Sequence, residues 1–215
     1  ITDNNRPGGS SFLCHAIHAA LALDAGMIDV ALITYGSNQR TASGGLVSAL
    51  RSSVYETPHR PMMPVGGYAL AANRHRHDFG TTREDLAHVA LAARAWANKN
   101  PEAFRQGDMT LDDVLSARLI STPLTARDCC LVTDGAAAVV MTRADRAAST
   151  RAPIPLLGGA QTVTHKEIAA MPDLTVTGAA ISGPQAMQAA GITPDDVDCV
   201  QLYDAFTINT LLFLE

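Results

Sequence analysis

Cysteine is the strongest nucleophile among the side chains, and the sequence has four, at positions 14, 129, 130 and 199. Cys14 falls inside an apolar helical pattern, which favours a buried thiol over a nucleophile. Cys129 and Cys130 are adjacent and poorly placed to chelate one metal ion, and Cys199 lies in an apolar run typical of a strand core. We expect all four to have packing roles. No CxxC pair occurs, which favours a reducing compartment and predicts a cytoplasmic location.

A glycine-rich turn that opens a helix is a second candidate site, at Gly8-Gly9-Ser10-Ser11. Free N–H groups at a helix start can hold a developing negative charge or lower the pKa of a nucleophile. The turn could equally need small residues only, and the pattern leaves both interpretations open. No lysine follows at the spacing of a phosphate-binding loop.

Two ionisable residues, Tyr203 and Asp204, directly follow an apolar stretch that predicts a strand. Ligands of open α/β sheets gather at the carboxyl ends of strands. A tyrosine there can donate or accept a proton, and an aspartate can orient it. A purely structural tyrosine fits the same pattern.

Histidines occur in two groups that could contact ligands. His75 and His77 alternate with arginines, which favours a solvated or interface face, with contact to an anionic ligand as the alternative. His15 and His18 are three residues apart on a helix, as metal ligands can be, but no carboxylate accompanies them. We therefore expect no metal site.

Length and composition limit the classes of protein that could hold these sites. The 215 residues, 47% of them hydrophobic, are enough to bury a core. A formal charge of −5 argues against a general nucleic-acid binder. No apolar run approaches the roughly 18 residues of a membrane span, and no signal peptide is visible. The chain opens without methionine and closes inside an apolar run, which predicts an internal portion of a longer polypeptide.

Helical and strand patterns alternate along the chain. A helix over residues 12–25, ended by Gly26, precedes a buried strand over 28–35, as in an α/β unit with a parallel sheet. Further helices are predicted at 68–77, 86–98 (behind a capping box at 81–84) and 112–118, and a second strand at 136–141. After residue 150 a second α/β layer is predicted, with strands at 154–159 and 197–202 and a helix at 184–190.

Five stretches together resemble the thiolase superfamily, specifically the sterol-carrier-protein type thiolases and their lipid-transfer-protein-like relatives. They are Gly-Gly-Ser-Ser at 8–11, Asp-Val-Ala-Leu-Ile-Thr-Tyr-Gly at 29–36, His-Asp-Phe-Gly-Thr-Thr-Arg-Glu at 77–84, Asp-Gly-Ala-Ala-Ala-Val-Val at 134–140 and Gln-Leu-Tyr-Asp-Ala-Phe-Thr at 201–207. The resemblance implies an α/β thiolase fold, layered αβαβα, with an inserted loop domain.

The same resemblance implies a domain organisation. Residues 1–38 and 128–148 would form part of the N-terminal half, 39–127 the loop domain that covers the acyl-CoA, and 149–215 the start of the C-terminal half. Homodimers are expected, as in other members of the family.

The expected function is inferred from two positions at which the sequence departs from the family pattern. Counted back from Gly26, the family's catalytic cysteine falls on Gly9, which cannot form an acyl-thioester and leaves room for a bulkier substrate. The family's Asn-Glu-Ala-Phe segment is Tyr203-Asp204-Ala205-Phe206 here, so a phenol replaces the amide.

A thiolase-like protein with this tyrosine and without the cysteine resembles the acyl-CoA retro-aldolases of steroid side-chain degradation, which work with a small OB-fold partner. By that resemblance Tyr203 is the expected base, Asp204 its orienting neighbour, and the N–H groups near Gly9 and Ser10 part of an oxyanion site.

Substrate contacts are expected from His77, Asp134 and Gly135. Coenzyme A enters as part of the acyl-CoA substrate, and no permanently bound cofactor is expected. Two alternatives remain open: an acetyl-CoA acyltransferase that uses Cys14 or Cys130, and a non-catalytic acyl-CoA or lipid-binding subunit.

Overall fold

A computed structural model describes residues 7–43, 54–147, 153–165 and 167–215. Its helices are α1 (Ser11–Asp24), α2 (Gln39–Ser43), α3 (Val65–Phe79), α4 (Arg83–Ala97), α5 (Leu111–Leu115), α6 (Ala179–Ala190) and α7 (Thr207–Leu214). Its strands are β1 (Val30–Ser37), β2 (Leu119–Ser121), β3 (Leu124–Thr125) and β4 (Gly135–Thr142). Single 3₁₀ turns lie at Thr57–His59, Ala144–Arg146, Ile168–Ala170 and Pro194–Asp196. None of the helices in these ranges is long and apolar enough to cross a membrane.

The chain folds as two compact units. The first contains the described residues of Ile1–Val47, Val132–Thr162 and Ile181–Gln201, and the second those of Ser48–Leu131, Val163–Ala180 and Leu202–Glu215. The domain limits inferred from the family resemblance remain a prediction, and the boundary near residue 150 lies outside the described residues.

In the first unit, helix α1 leads into a two-stranded sheet. Gly26 adopts a φ of 65°, a left-handed conformation that favours glycine, and its N–H donates to the Leu23 carbonyl, so α1 ends where the pattern predicts. Strands β1 and β4 then pair antiparallel, from Val30 opposite Thr142 to Ser37 opposite Gly135. The expected parallel sheet is therefore wrong for the described strands. The expected burial is wrong too, because most residues of β1 and β4 are exposed. An apolar run encodes neither the direction of the partner strand nor the element that covers it.

The two strands predicted for the second layer, 154–159 and 197–202, are also wrong. Both segments lie outside regular strands, since no ladder partner for them occurs among the described residues. Ile154 is 96% exposed, and Cys199 is exposed rather than in a strand core. High β-propensity does not make a strand without a partner.

Close backbone approach explains the glycine pair in the first of these segments. A Cβ added at Gly158 would lie 2.5 Å from the backbone nitrogen of Ala190, in α6. A Cβ at Gly159 would lie 2.9 Å from the side chain of Ile17, in α1. Small residues are therefore required where this segment packs on the helices.

The second unit is built from α3, α4, α5, α7 and the β2–β3 hairpin. Its core is apolar, with Ala72, Leu86, Leu124 and Ile208 fully buried. Helix α4 begins with a capping box between Thr82 and Asp85, one residue later than the sequence pattern indicated. Helix α5 begins with the same device, between Thr110 and Asp113. These caps satisfy N–H groups of the first turn and set where each helix starts.

We predict opposite effects of one added methyl group at two glycines of the first unit. Gly158→Ala should lower the free energy of unfolding by about 1–3 kcal/mol, because its Cβ would overlap the backbone of α6. Gly36→Ala, inside β1 with no neighbouring atom within 4 Å of the added Cβ, should raise it by about 0.5–1 kcal/mol. Urea denaturation of the two variants would test this, and equal effects would contradict the packing described.

Candidate active site

Tyr203 lies in a cluster of ionisable side chains in the second unit. Its ring is 50% exposed. Partial burial raises the pKa of the phenol above its usual value, and Tyr68, Cys130 and Asp204 raise it further. The Tyr68 ring in turn packs on Phe206, with ring centroids 4.3 Å apart. Because a raised pKa keeps the phenol protonated at neutral pH, Tyr203 has a proton to exchange with a ligand.

Backbone pairing with residues 128–130 holds the Tyr203–Asp204 segment. The N–H of Cys130 donates to the Ala205 carbonyl at 2.9 Å, and Cys129 forms an antiparallel bridge with Phe206. The N–H of Thr207, the first residue of α7, donates to the Asp128 carbonyl at 3.0 Å. The segment that carries Tyr203 and Asp204 is therefore tied to the chain that carries both adjacent cysteines.

The carboxylate of Asp128 lies beneath this pairing and accepts four hydrogen bonds. Its Oδ2 accepts from the N–H and the hydroxyl of Thr125, each at 2.7 Å, and from Arg83 Nη1 at 2.9 Å. Its Oδ1 accepts from the Thr207 hydroxyl at 2.9 Å. Asp128 is only 2% exposed. Four donors therefore satisfy the hydrogen-bonding capacity of this buried carboxylate.

Asp128 was not predicted from the sequence, although a local signal was present. The Thr-x-x-Asp spacing of Thr125 and Asp128 also occurs in the capping boxes at residues 82–85, 110–113 and 193–196. There the carboxylate is exposed and begins a helix. At Asp128 the carboxylate is buried. It accepts the same two hydrogen bonds from its local threonine, and it accepts two more from Arg83 and Thr207, which are distant in sequence.

The adjacent cysteines are poor nucleophiles in this setting. Burial, with Asp128 and Cys130 nearby, raises the pKa of Cys129 to about 11, and its Sγ donates to the Thr125 carbonyl. Burial and Asp204 raise the pKa of Cys130 as well. Cys14 is 8% exposed, as expected for a packing residue. Cys130, in contrast, is exposed, so the packing role expected for it is wrong. Its backbone pairing with Ala205 places it at the surface.

Gly9 and Ser10 form the turn before α1, in the first unit. Gly8 adopts a φ of 123°, which favours glycine, while Gly9 and Ser10 are exposed. The Ser10 carbonyl accepts from the N–H groups of Leu13 and Cys14, and its hydroxyl caps nothing. The oxyanion role of Gly9 and Ser10 remains a prediction.

Asp134 and Gly135 lie at the start of β4, also in the first unit. Asp134 Oδ1 accepts the N–H groups of Arg40 and Thr41, at 2.9 and 3.3 Å, and so satisfies N–H groups of α2. Both residues line an open depression together with Gly36, Ser37, Asn38 and Ala136. This geometry assigns Asp134 a structural role, and substrate contact by either residue remains a prediction.

The two histidines of the basic stretch differ. The His77 side chain is 82% exposed, and its Nδ1 lies 2.8 Å from Asp78 Oδ1. Hydrogen bonds from His77 and then Arg74 lower the pKa of Asp78. His75 is buried between the Thr81 hydroxyl and the Glu215 carboxylate, so a solvated face was the wrong expectation there. Substrate contact by His77 remains a prediction.

A groove of about 420 Å³ in the second unit reaches this cluster. Apolar residues line most of it, among them Ala90, Phe104 and Met109, and Cys130 and Asp204 lie at its wall. An apolar groove that meets an ionisable pair fits a ligand with an apolar arm and a polar reacting group. Within the described residues no cluster of histidine, cysteine and carboxylate groups could hold a metal ion.

A thiolase-type α/β fold with a tyrosine–aspartate pair near one groove defines the class of protein, and the chain belongs to the thiolase superfamily, with sterol-carrier-protein type relatives. The family model described as thiolase C-terminal domain-like matches residues 160–215. The Ltp2-ChsH2(DUF35) aldolase has a similar structure, with a TM-score of 0.86 and 28% identity over 97% of this chain and 56% of that one. The predicted fold class is thus confirmed.

Two curated relatives match most of the chain. The benzoylsuccinyl-CoA thiolase subunit BbsB of Thauera aromatica is 34% identical over 93% of this chain and 53% of its own length. The 17-hydroxy-3-oxo-4-pregnene-20-carboxyl-CoA lyase of Mycobacterium tuberculosis is 31% identical over 97% of this chain and 58% of its own. The chain therefore spans a little over half the length of these relatives.

We predict slow alkylation of Cys129. With a pKa of about 11, roughly one thiol in a thousand is ionised at pH 8, so iodoacetamide should label Cys129 far more slowly than N-acetylcysteine. The rate should climb tenfold per pH unit up to that pKa. Peptide mass spectrometry of the folded protein would measure both rates, and equal labelling at pH 8 would contradict the environment described.

Proposed function

We propose that the protein cleaves a carbon–carbon bond of a β-hydroxyacyl-CoA without a covalent intermediate. The observation that carries this proposal is the pair of residues Gly9 and Tyr203: no sulfur stands at the family's nucleophile position, and a phenol lies in an ionisable cluster. The names of two relatives, the lyase above and the steroid side-chain-cleaving aldolase of Thermomonospora curvata, support this reaction class.

The proposed step is a retro-aldol reaction. Tyr203, in its phenolate form, removes the proton of the β-hydroxyl group, with Asp204 orienting the ring, and the hydroxyl carbon becomes a carbonyl as its bond to the α-carbon breaks. The bonding electrons move into the thioester as an enolate, whose oxygen is held by N–H groups near Gly9 and Ser10. Protonation of the α-carbon then releases a shorter acyl-CoA. No cysteine takes part.

Acyl-CoA is the proposed substrate class, and coenzyme A takes part only as the thioester portion of that substrate. The apolar groove that reaches Cys130 and Asp204 supports this, since it suits an extended apolar arm that ends beside Asp204, the chain neighbour of Tyr203. His77, Asp134 and Gly135 are the proposed further contacts.

A small OB-fold protein is the proposed partner. The similar aldolase is named for two components, Ltp2 and ChsH2(DUF35), which supports a complex of this kind. A homodimer and a cytoplasmic location are proposed on the family resemblance and the cysteine usage, respectively.

An acyltransferase is the second candidate, because BbsB and the acetyl-CoA acetyltransferase of Methanothermobacter thermautotrophicus carry such names. It would need another nucleophile, and the burial of Cys14 and the raised pKa of Cys130 both oppose one. A non-catalytic subunit is the third, and the word subunit in the name of BbsB favours it.

We predict that Tyr203→Phe abolishes cleavage. In the full-length protein, assayed with and without its partner, kcat should fall by about 100-fold or more, because the phenol hydroxyl is the proposed base. Tyr55→Phe is the matched control, since that ring is 88% exposed, and should keep wild-type activity. Wild-type kcat/KM should rise with pH toward a pKa above the usual value of about 10, because the reactive form is the phenolate. Undiminished cleavage by Tyr203→Phe would remove Tyr203 from the mechanism.

We also predict that Gly9→Cys restores a covalent step. The new thiolate should attack the thioester carbonyl of an acyl-CoA, release coenzyme A and leave an acyl group on the introduced sulfur. Intact-protein mass spectrometry should show this mass in Gly9→Cys but not in the wild type or in Gly183→Cys. An adduct on a native cysteine of the wild type would favour the acyltransferase instead.

A further inference from the structure

The contacts of Asp128 reach the Tyr203–Asp204 segment along two routes. One is the backbone, through the Thr207 N–H to the Asp128 carbonyl and the Cys130 N–H to the Ala205 carbonyl. The other is the side chain, through the Thr207 hydroxyl to Asp128 Oδ1. Ala205 directly follows Asp204, so any shift of this pairing moves Asp204 and Tyr203 with it.

We propose that Asp128 is a positioning residue that holds Tyr203 and Asp204 in their reactive geometry by anchoring the start of α7. This inference rests on the proposed function and extends it to a residue that acts through Tyr203 and Asp204.

The anchor is rigid because three elements converge on one carboxylate. Thr125 ends β3, Arg83 begins α4 and Thr207 begins α7. Arg83 Nη2 is buried and has no hydrogen-bond partner among the described residues, so Asp128 provides the counter-charge of this guanidinium. The Arg83 side chain is 21% exposed, so losing the carboxylate would leave a partly buried guanidinium without its counter-charge, which disfavours the present arrangement.

The side-chain route is the part that can be cut without disturbing the ion pair. Thr207 uses its hydroxyl for Asp128 Oδ1, while Arg83 and Thr125 share Oδ2. Thr207→Val keeps the shape of the side chain and removes only this hydrogen bond. Thr207→Ser retains the hydroxyl and serves as the conservative rescue.

The experiment compares Asp128→Asn, Thr207→Val and Thr207→Ser in the full-length protein, below the unfolding temperature of each. Asp113→Asn is the matched control, because Asp113 holds Thr110 in the same Thr-x-x-Asp arrangement at the exposed start of α5. One readout is the split between kcat and KM for cleavage of a β-hydroxyacyl-CoA. The other is the titration of Tyr203, measured as the difference in tyrosinate absorbance from Tyr203→Phe.

We expect kcat to fall by about 10- to 100-fold in Asp128→Asn and Thr207→Val with KM within about twofold, because small misplacements of reacting groups cost rate. Thr207→Ser and Asp113→Asn should keep kcat. Tyr203 should titrate at lower pH in the two impaired variants, because a loosened segment exposes the phenol to water and removes part of the burial that raises its pKa.

A kcat equal to that of Asp113→Asn, or an unmoved titration of Tyr203, would overturn the positioning role and leave Asp128 a structural residue. A different result would contradict the proposed function: a wild type that cleaves no β-hydroxyacyl-CoA with or without the proposed partner. In that event the titration still tests Asp128, since it needs no turnover. A lower pKa of Tyr203 in Thr207→Val than in the wild type would then by itself uphold the anchor.

Discussion

A buried negative charge organises the second unit. The Asp128 carboxylate, 2% exposed, must be matched by donors, and it finds them on Thr125, Arg83 and Thr207. Each donor belongs to a different element, so satisfying one carboxylate fixes the relative placement of β3, α4 and α7. The segment that precedes α7 inherits this order, and Tyr203 lies in that segment. The pairing of the buried Asp128 carboxylate thus constrains the position of the Tyr203 phenol.

The thiolase framework and the thiolase reaction are separable, and this chain illustrates how. The framework persists in the α/β fold, with a TM-score of 0.86 to a solved aldolase complex. The proposed reaction differs from that of a thiolase at two positions: Gly9 stands in place of the nucleophile, and Tyr203 is the proposed proton-transfer group. Cys14 is buried, and the pKa values of Cys129 and Cys130 are raised, which opposes a nucleophilic role for these three thiols. Fold therefore assigns the superfamily, while the chemistry follows from single side chains.

Local sequence signals predicted the helices well, but contacts between residues distant in sequence were not predicted. Gly26 and the threonine–aspartate caps mark helix ends within a few residues, so α1 and α4 fall where the pattern places them. Strands depend on a partner, which is why residues 154–159 and 197–202 were assigned wrongly. Asp128 was missed because its decisive donors are 45 and 79 residues away in sequence, on Arg83 and Thr207. The Tyr203–Asp204 pair could be proposed from the sequence because both residues are adjacent in the chain, and its role stays a prediction.

The most direct test of cysteine-free cleavage follows the α-carbon of the substrate. The full-length protein, with the proposed OB-fold partner, acts on a β-hydroxyacyl-CoA in D₂O without free coenzyme A. The enolate that forms when the bond to the α-carbon breaks must take up a proton that exchanges with the solvent. Cysteine-free cleavage predicts a carbonyl product and a shorter acyl-CoA that carries one solvent deuteron on its α-carbon. A reaction that begins only when free coenzyme A is added, and that yields two acyl-CoA products, would contradict it.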